Sequence, residues 1–232
     1  MASLIQSAKI GAGSATTVAL QIATSAGNGT VDTTPGSLII AYVGSSTPGR
    51  NCSASDNVNG AYNTDVGASG GSSNSICSFP NNGGGPLTVT GAISGAATAI
   101  AIIVEEWSGI AAIAPFDKAS AIASGTAVTT LTSNSTGTLS QANELVVTAC
   151  RLTTTQGSGS GQPTAQAPFT PDPIGSIPAN TPYLGVGYQI VGSTAAVTSQ
   201  FNWTTSSNCN LWVVTYKLAT VGVDTLLGQG WV

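Results

Sequence analysis

The chemistry open to this chain is set first by what it lacks. It has no histidine, which removes the Ser-His-Asp triad, the Cys-His pair and the common zinc sites together. Its Gly-rich stretches lack the following helix that would present a phosphate site. Carboxylates remain. A glycoside hydrolase needs only two of them, and Glu105, Glu106, Asp117 and Glu144 are the candidates. Glu105 and Glu106 are neighbours on a predicted strand, so they face opposite sides. Glu106 beside Trp107 pairs an acid with a stacking aromatic, which makes both candidate ligand contacts for a glycan. The competing reading places Trp107 in the core, where Trp is usually found.

A second constellation is SASDNVNGAYNTDV, Ser53 to Val66. Asp56, Asn57, Asn59 and Asp65 offer oxygens to a calcium ion, but the EF-hand spacing and its terminal Glu are missing. Asn59-Gly60 favours a tight hairpin instead, because both residues tolerate left-handed backbone angles. No metal and no cofactor is expected. The four cysteines invite the disulfides Cys52–Cys77 and Cys150–Cys209, one of three connectivities. Synthesis without export favours buried free thiols.

The elements that position these residues are strands. Gly, Pro, Ser and Thr interrupt nearly every segment, and period-two alternation replaces helical spacing. Thr17–Ile22, Ser37–Val43, Cys52–Asp56, Ala61–Asp65, Ser75–Phe79, Leu87–Ile93 and Ala97–Trp107 form the first group. Thr126–Thr132, Glu144–Leu152, Tyr183–Val191, Ala196–Thr204 and Asn210–Leu218 form the second. Ser37–Val43 reads as buried on both faces, and Ala97–Trp107 as a long central strand. Phe201 and Trp203 share one face, as do Trp212, Val214 and Tyr216, so these aromatics read as core. The whole predicts an antiparallel β-sandwich of jelly-roll type. No composition break divides it. Gly67–Asn74 and Gly157–Pro163 read as flexible Gly/Ser-rich connections.

Only 6% of the 232 residues are charged, against roughly 25% in ordinary soluble domains. Five basic residues and a net charge of −4 leave no basic patch for nucleic acid and no electrostatic membrane anchor. The longest apolar run falls short of a membrane-spanning helix. The start of the chain has no basic segment followed by an apolar one, so export through a signal peptide is not expected. A surface of Ser, Thr, Asn, Gly and Ala loses little desolvation energy on packing against neighbours.

Several pieces in order carry a resemblance. They are Gly36-Ser37-Leu38-Ile39-Ile40-Ala41-Tyr42-Val43, Asp56-Asn57-Val58-Asn59-Gly60-Ala61-Tyr62, Glu105-Glu106-Trp107-Ser108-Gly109, Asn143-Glu144-Leu145-Val146-Val147 and Leu184-Gly185-Val186-Gly187-Tyr188-Gln189-Ile190-Val191. From about Val18 to Leu218 the chain resembles jelly-roll-like β-sandwich domains of tailed-phage virion proteins and bacterial extracellular proteins. The resemblance implies a fold and a virion or extracellular setting, and it carries over no catalytic residue.

Three segments are therefore expected: an N-terminal arm at 1–14, the sandwich at 15–218 and a C-terminal arm at 219–232. The arms are apolar through Leu4 and Ile5 at one end and Leu226, Leu227 and Trp231 at the other. Such arms can dock on a neighbouring subunit by strand addition or fold back on their own sandwich. The expected role is a non-catalytic virion component, either capsid decoration or a tail or fibre part, whose partners are further copies and other virion proteins. The alternatives are a glycan-binding module or adhesin on a bacterial surface, and an extracellular filament subunit joined by strand exchange.

Overall fold

The computed structural model describes residues 1–22, 32–67, 73–96, 98–153, 162–173 and 183–220. Every regular element among them is a strand. The first nine are β1 (Ser3–Ala15), β2 (Thr17–Ile22), β3 (Leu38–Ser45), β4 (Cys52–Asp56), β5 (Gly60–Ala61), β6 (Asn63–Val66), β7 (Asn74–Phe79), β8 (Leu87–Ile93) and β9 (Thr98–Ser108). They build two sheets, ordered β1-β9-β3-β7-β6 and β2-β8-β4-β5. The antiparallel pairs nest: β1 with β9, β2 with β8, β3 with β7, β4 with β5. Nested pairing across two facing sheets is the connectivity of a jelly roll.

The remaining strands are β10 (Phe116–Ala119), β11 (Ala123–Thr132), β12 (Glu144–Leu152), β13 (Thr164–Ala165), β14 (Thr170–Pro171), β15 (Tyr183–Val191) and β16 (Gln200–Lys217). They form a third sheet, ordered β10-β16-β12-β15-β14, with β11 and β13 also pairing to β16.

The β1-β9-β3-β7-β6 sheet lies in the middle, and its side chains alternate between two cores. Ile39, Ala41, Val43, Ile100, Ile102 and Val104 pack toward β2, β4 and β8. Leu38, Ile40, Tyr42, Ala101, Ile103 and Trp107 pack toward Leu145, Val147, Val186, Trp212 and Val214 of the third sheet. Burial on both faces is why β3 and β9 read as unbroken apolar runs and not as alternating strands. A third core around Phe201, Trp203 and Leu211 covers the far side of the third sheet.

Two expected boundaries change. Residues 1–14 are not a free arm, because β1 pairs with β9 from Ser3↔Ser108 to Ala15↔Thr98 and leaves Leu4 and Ile5 half-buried in the chain's own sheet. A chain with a long central strand offers β1 an edge of its own to satisfy its backbone groups. The jelly-roll pairing occupies Ser3 to Ser108, and the following half supplies the third sheet instead of extending the first two. Leu226, Leu227 and Trp231 lie outside the described residues, as do most of the Gly/Ser-rich connections.

Candidate functional site

β9 carries its carboxylates to opposite faces, as alternation requires. Glu106 points into the jelly-roll core and is fully buried. It accepts hydrogen bonds from Gln6 Nε2 at 2.7 Å and from the Thr34 backbone N–H. Glu105 points toward the third sheet, where its Oε2 accepts from Tyr42 Oη at 2.6 Å and from Trp107 Nε1 at 2.9 Å. Trp107 packs edge-on to Tyr188, with ring centroids 4.8 Å apart.

Glu106 and Trp107 are therefore not the exposed acid–aromatic pair that a glycan would meet. Both are buried and they face away from each other. The indole N–H is used by Glu105, one residue earlier.

The partner of Glu105 is Asp172. The short strand β14 pairs with Tyr188 and Gly187, and the Asp172 N–H then donates to Val186 O at 3.1 Å. This fixes the Asp172 carboxylate over β1 and β9, where Ser7 Oγ donates to its Oδ1 at 3.1 Å. Burial pushes the Glu105 pKa well above the usual carboxyl range, and the neighbouring charge of Asp172 adds to the shift. The neutral form of Glu105 is thereby favoured, with the Asp172 carboxyl as its neighbour. Both donors from the core, Tyr42 and Trp107, go to Oε2, and Oε1 is buried without a hydrogen-bond donor. Lys9 faces Asp172 from β1, and its own pKa is lowered by burial against the pull of that carboxylate.

Asp117 and Glu144 are brought together at the opposite end of the third sheet. Glu144 is fully buried, and burial raises its pKa, with Asp117 reinforcing the rise. Burial works against the charged form of Asp117, yet hydrogen bonds led by Ser140 outweigh it and lower its pKa. The Ser140 N–H donates to Asp117 Oδ2 at 2.8 Å. One carboxyl shifted toward its neutral form beside one held toward its charged form is the electronic arrangement of an acid–base pair. The nearby cavity, however, is lined by Met1, Gln141, Ala142, Asn143, Ile190, Leu218, Ala219 and Thr220, with no carboxylate side chain among them. The pair has no opening to a substrate there, and its geometry is that of an internal tie between β10 and β12.

The Asp56–Gly60 corner is a hairpin tip. β4 and β5 pair through Asp56↔Gly60, and Gly60 adopts φ +85°, a left-handed angle that closes the loop. Asp56 Oδ1 accepts from the N–H groups of Val58 and Asn59, while Oδ2 accepts from Asn59 Nδ2 at 2.8 Å and Tyr62 Oη at 2.8 Å. Asn57 Oδ1 is taken by the Thr88 N–H, and Asp65 Oδ2 by Tyr216 Oη. Asn59 Oδ1 accepts from the Gly83 N–H, so the oxygens of all four residues that a calcium reading would gather are taken by donors of the chain itself.

The expected disulfides are absent: Cys52, Cys77, Cys150 and Cys209 are all free and buried. Cys209 Sγ donates to Gly125 O at 3.7 Å, and Cys77 Sγ to Thr64 Oγ1 at 3.8 Å. Burial pushes the Cys52 thiol up to about 12 and Cys209 to about 11. Thiolates are the reactive form, so all four should resist a disulfide-exchange reagent in the native protein and react once denaturant is added. Rapid labelling of even one thiol in the native state would contradict this burial.

Two groups at the heart of this arrangement escape sequence reasoning. Asp172 sits in Pro171-Asp172-Pro173, which reads as a connection, and Gln6 sits in the stretch taken for an arm. The usable signal was the scarcity of charge: a buried Glu on a central strand must find a partner, and few residues could serve. Compared with models of protein families, with curated proteins and with solved structures, the chain matches none.

Proposed function

We propose that the protein is a non-catalytic structural building block, and that it serves in a phage virion. The observation that carries this reading is where the charges sit. Of the 14 charged side chains (5 basic, 9 acidic), Asp56, Glu105, Glu106, Glu144, Arg151 and Asp172 are buried. Lys9, Arg50, Asp65, Asp117, Lys118 and Lys217 are half-buried, and Asp32 alone is fully exposed among the described residues.

The outward face of the β2-β8-β4-β5 sheet presents rows of Thr17–Ala92–Ser53 and Ala19–Thr90–Ser55, with no charge in them. A flat face of short uncharged side chains packs against a neighbour with little loss of hydration or rotamer entropy. Mixed surface charge is what ordinarily keeps a domain apart from its neighbours. The carboxylates that an enzyme would need are held inside by hydrogen bonds, and the resemblance to virion jelly rolls points the same way.

Sedimentation velocity over increasing concentration, followed by electron microscopy, tests the building-block reading. Ordered self-association that Thr90→Glu suppresses is expected. A chain that stays monomeric throughout and turns over a glycan would overturn it. Mass spectrometry of purified phage particles carrying the gene tests the virion assignment, and absence of the chain from the particles would reject it.

A further inference from the structure

Five large apolar side chains are exposed among the described residues: Met1, Val58, Ile113, Phe116 and Ile190. Val58 stands alone at the β4–β5 hairpin tip. The other four gather at one end of the third sheet. Phe116 lies opposite Tyr216, and the loop bearing Ile113 is pinned by Ala111 N–H to Lys217 O at 3.0 Å and by Lys217 N–H to Pro115 O at 2.7 Å. Ile110 bridges to Leu218. The Met1 backbone lies against Gly109, where a Cβ would come within 2.6 Å of the Met1 carbonyl oxygen. Met1, Ile190 and Leu218 then line a cavity of about 540 Å³, with Thr220 also in its lining. On a surface that otherwise shows small polar residues, this is the one concentration of exposed apolar groups among the described residues, and such patches mark contact sites.

We propose that this groove is the docking site of the chain's own C-terminal segment, residues 221–232. The sequence leaves Thr220 as Val221-Gly222-Val223-Asp224-Thr225-Leu226-Leu227-Gly228-Gln229-Gly230-Trp231-Val232. Six of these residues are large and apolar, and they begin at the rim of an apolar groove. Tethering at that rim gives the segment an effective concentration in the groove that a separate partner would match only at roughly millimolar levels. Its extended reach, about 40 Å for twelve residues, is ample to turn back across Leu218, Ile190 and Met1. The inference stands whether or not the protein assembles.

Trp231 provides the test. Trp107, Trp203 and Trp212 are 1%, 5% and 9% exposed, so acrylamide quenching of the full chain reads Trp231 against a quiet background, and Trp231→Phe identifies its share. The expected result is a protected Trp231 at every protein concentration, made several-fold more quenchable by Ile190→Asp. Ile190 is already 45% exposed, so that variant keeps the fold, and Ala142→Asp, at a second exposed residue of the lining, serves as another. A Trp231 that is freely quenched in the native chain, or one that neither variant changes, overturns the proposal. Protection that grows with concentration also overturns it, because the occupant would then be the segment of another copy, a result that would favour assembly.

Discussion

Replacing Arg151 by Ala should cost about 4 kcal/mol of stability, with Tm falling by roughly 8–16 °C for a chain of this size. Arg151 is 2% exposed on β12 and joins the third sheet to the central one. Its Nε donates to Ser45 O at 2.6 Å, Nη2 to Ser46 O at 2.8 Å and Nη1 to Asn210 Oδ1 at 3.1 Å. None of these acceptors is a carboxylate. Burial lowers the guanidinium pKa to about 10, which leaves it charged at neutral pH. The cation is thus held by carbonyl dipoles at the end of the interface between β3 and β12. Truncation would leave the buried Ser45 oxygen, and in part the half-buried Ser46 and Asn210 oxygens, without donors, at about 1–3 kcal/mol for a buried group, and would open a cavity as well. Removing the buried charge gives some of this back. Arg151→Met, which fills the volume without a donor, should therefore fall between Ala and the native residue, and Arg151→Lys should rescue only part because one ammonium does not match a three-way fork. A chemical-denaturation series measures all three. Native-like stability in the Met variant would mean that the fork contributes packing alone.

The contrast between what the sequence discloses and what it conceals follows from range. β2, β4, β8, β12 and β15 are readable to the residue because each alternates or is uniformly apolar within its own span. The Asp56 hairpin is readable because the bonds that Asp56 makes to close its loop lie within a few residues. β1 is not, because Gly11, Gly13 and scattered serines give it no strong pattern, and its strand character comes from pairing with β9 about a hundred residues later. β16 reads as two strands because Thr204, Thr205 and Ser206 are all exposed, yet pairing with β11 and β12 carries the backbone straight through. The unbroken apolar run of β9 announces burial on two faces, but nothing local says that the second cover is a whole further sheet. The same limit hides the Glu105–Asp172 contact: the need for a partner is visible at Glu105, and the identity of the partner is decided by how β14 packs on β15.

That contact makes the stability of the protein depend on pH in a direction opposite to the usual one for carboxylates. Most buried acids that accept salt bridges have depressed pKa values and stabilise the fold above them. Glu105 is raised, by burial first and by Asp172 second. Below about pH 4.3, the unfolded value for Glu, it is protonated in both states and imposes no pH-dependent cost. Above that pH the unfolded chain releases its proton while the folded chain keeps it, so stability falls by roughly 1.4 kcal/mol per pH unit until the folded pKa is reached. The groups facing the pair are Lys9 from β1, Tyr42 from β3 and Tyr188 from β15. Lys9 is lowered by burial, and both tyrosines are raised from 10.0, away from the window between pH 5 and pH 7. Across that window the native chain should lose stability through Glu105 as pH rises. Glu144 and Asp65 are also raised, by burial, and add to the slope in the same sense. Glu105→Gln should remove its share. The amide oxygen can accept from Tyr42 and Trp107 as Oε2 does, and the amide carries no charge to repel Asp172, so the variant should match the native chain at pH 4 and exceed it at pH 7. Glu105→Ala, which strands both donors and leaves a hole, should be less stable than either at pH 4. Urea denaturation at constant ionic strength separates these outcomes, and an unchanged slope in the Gln variant would mean that no proton is held between Glu105 and Asp172.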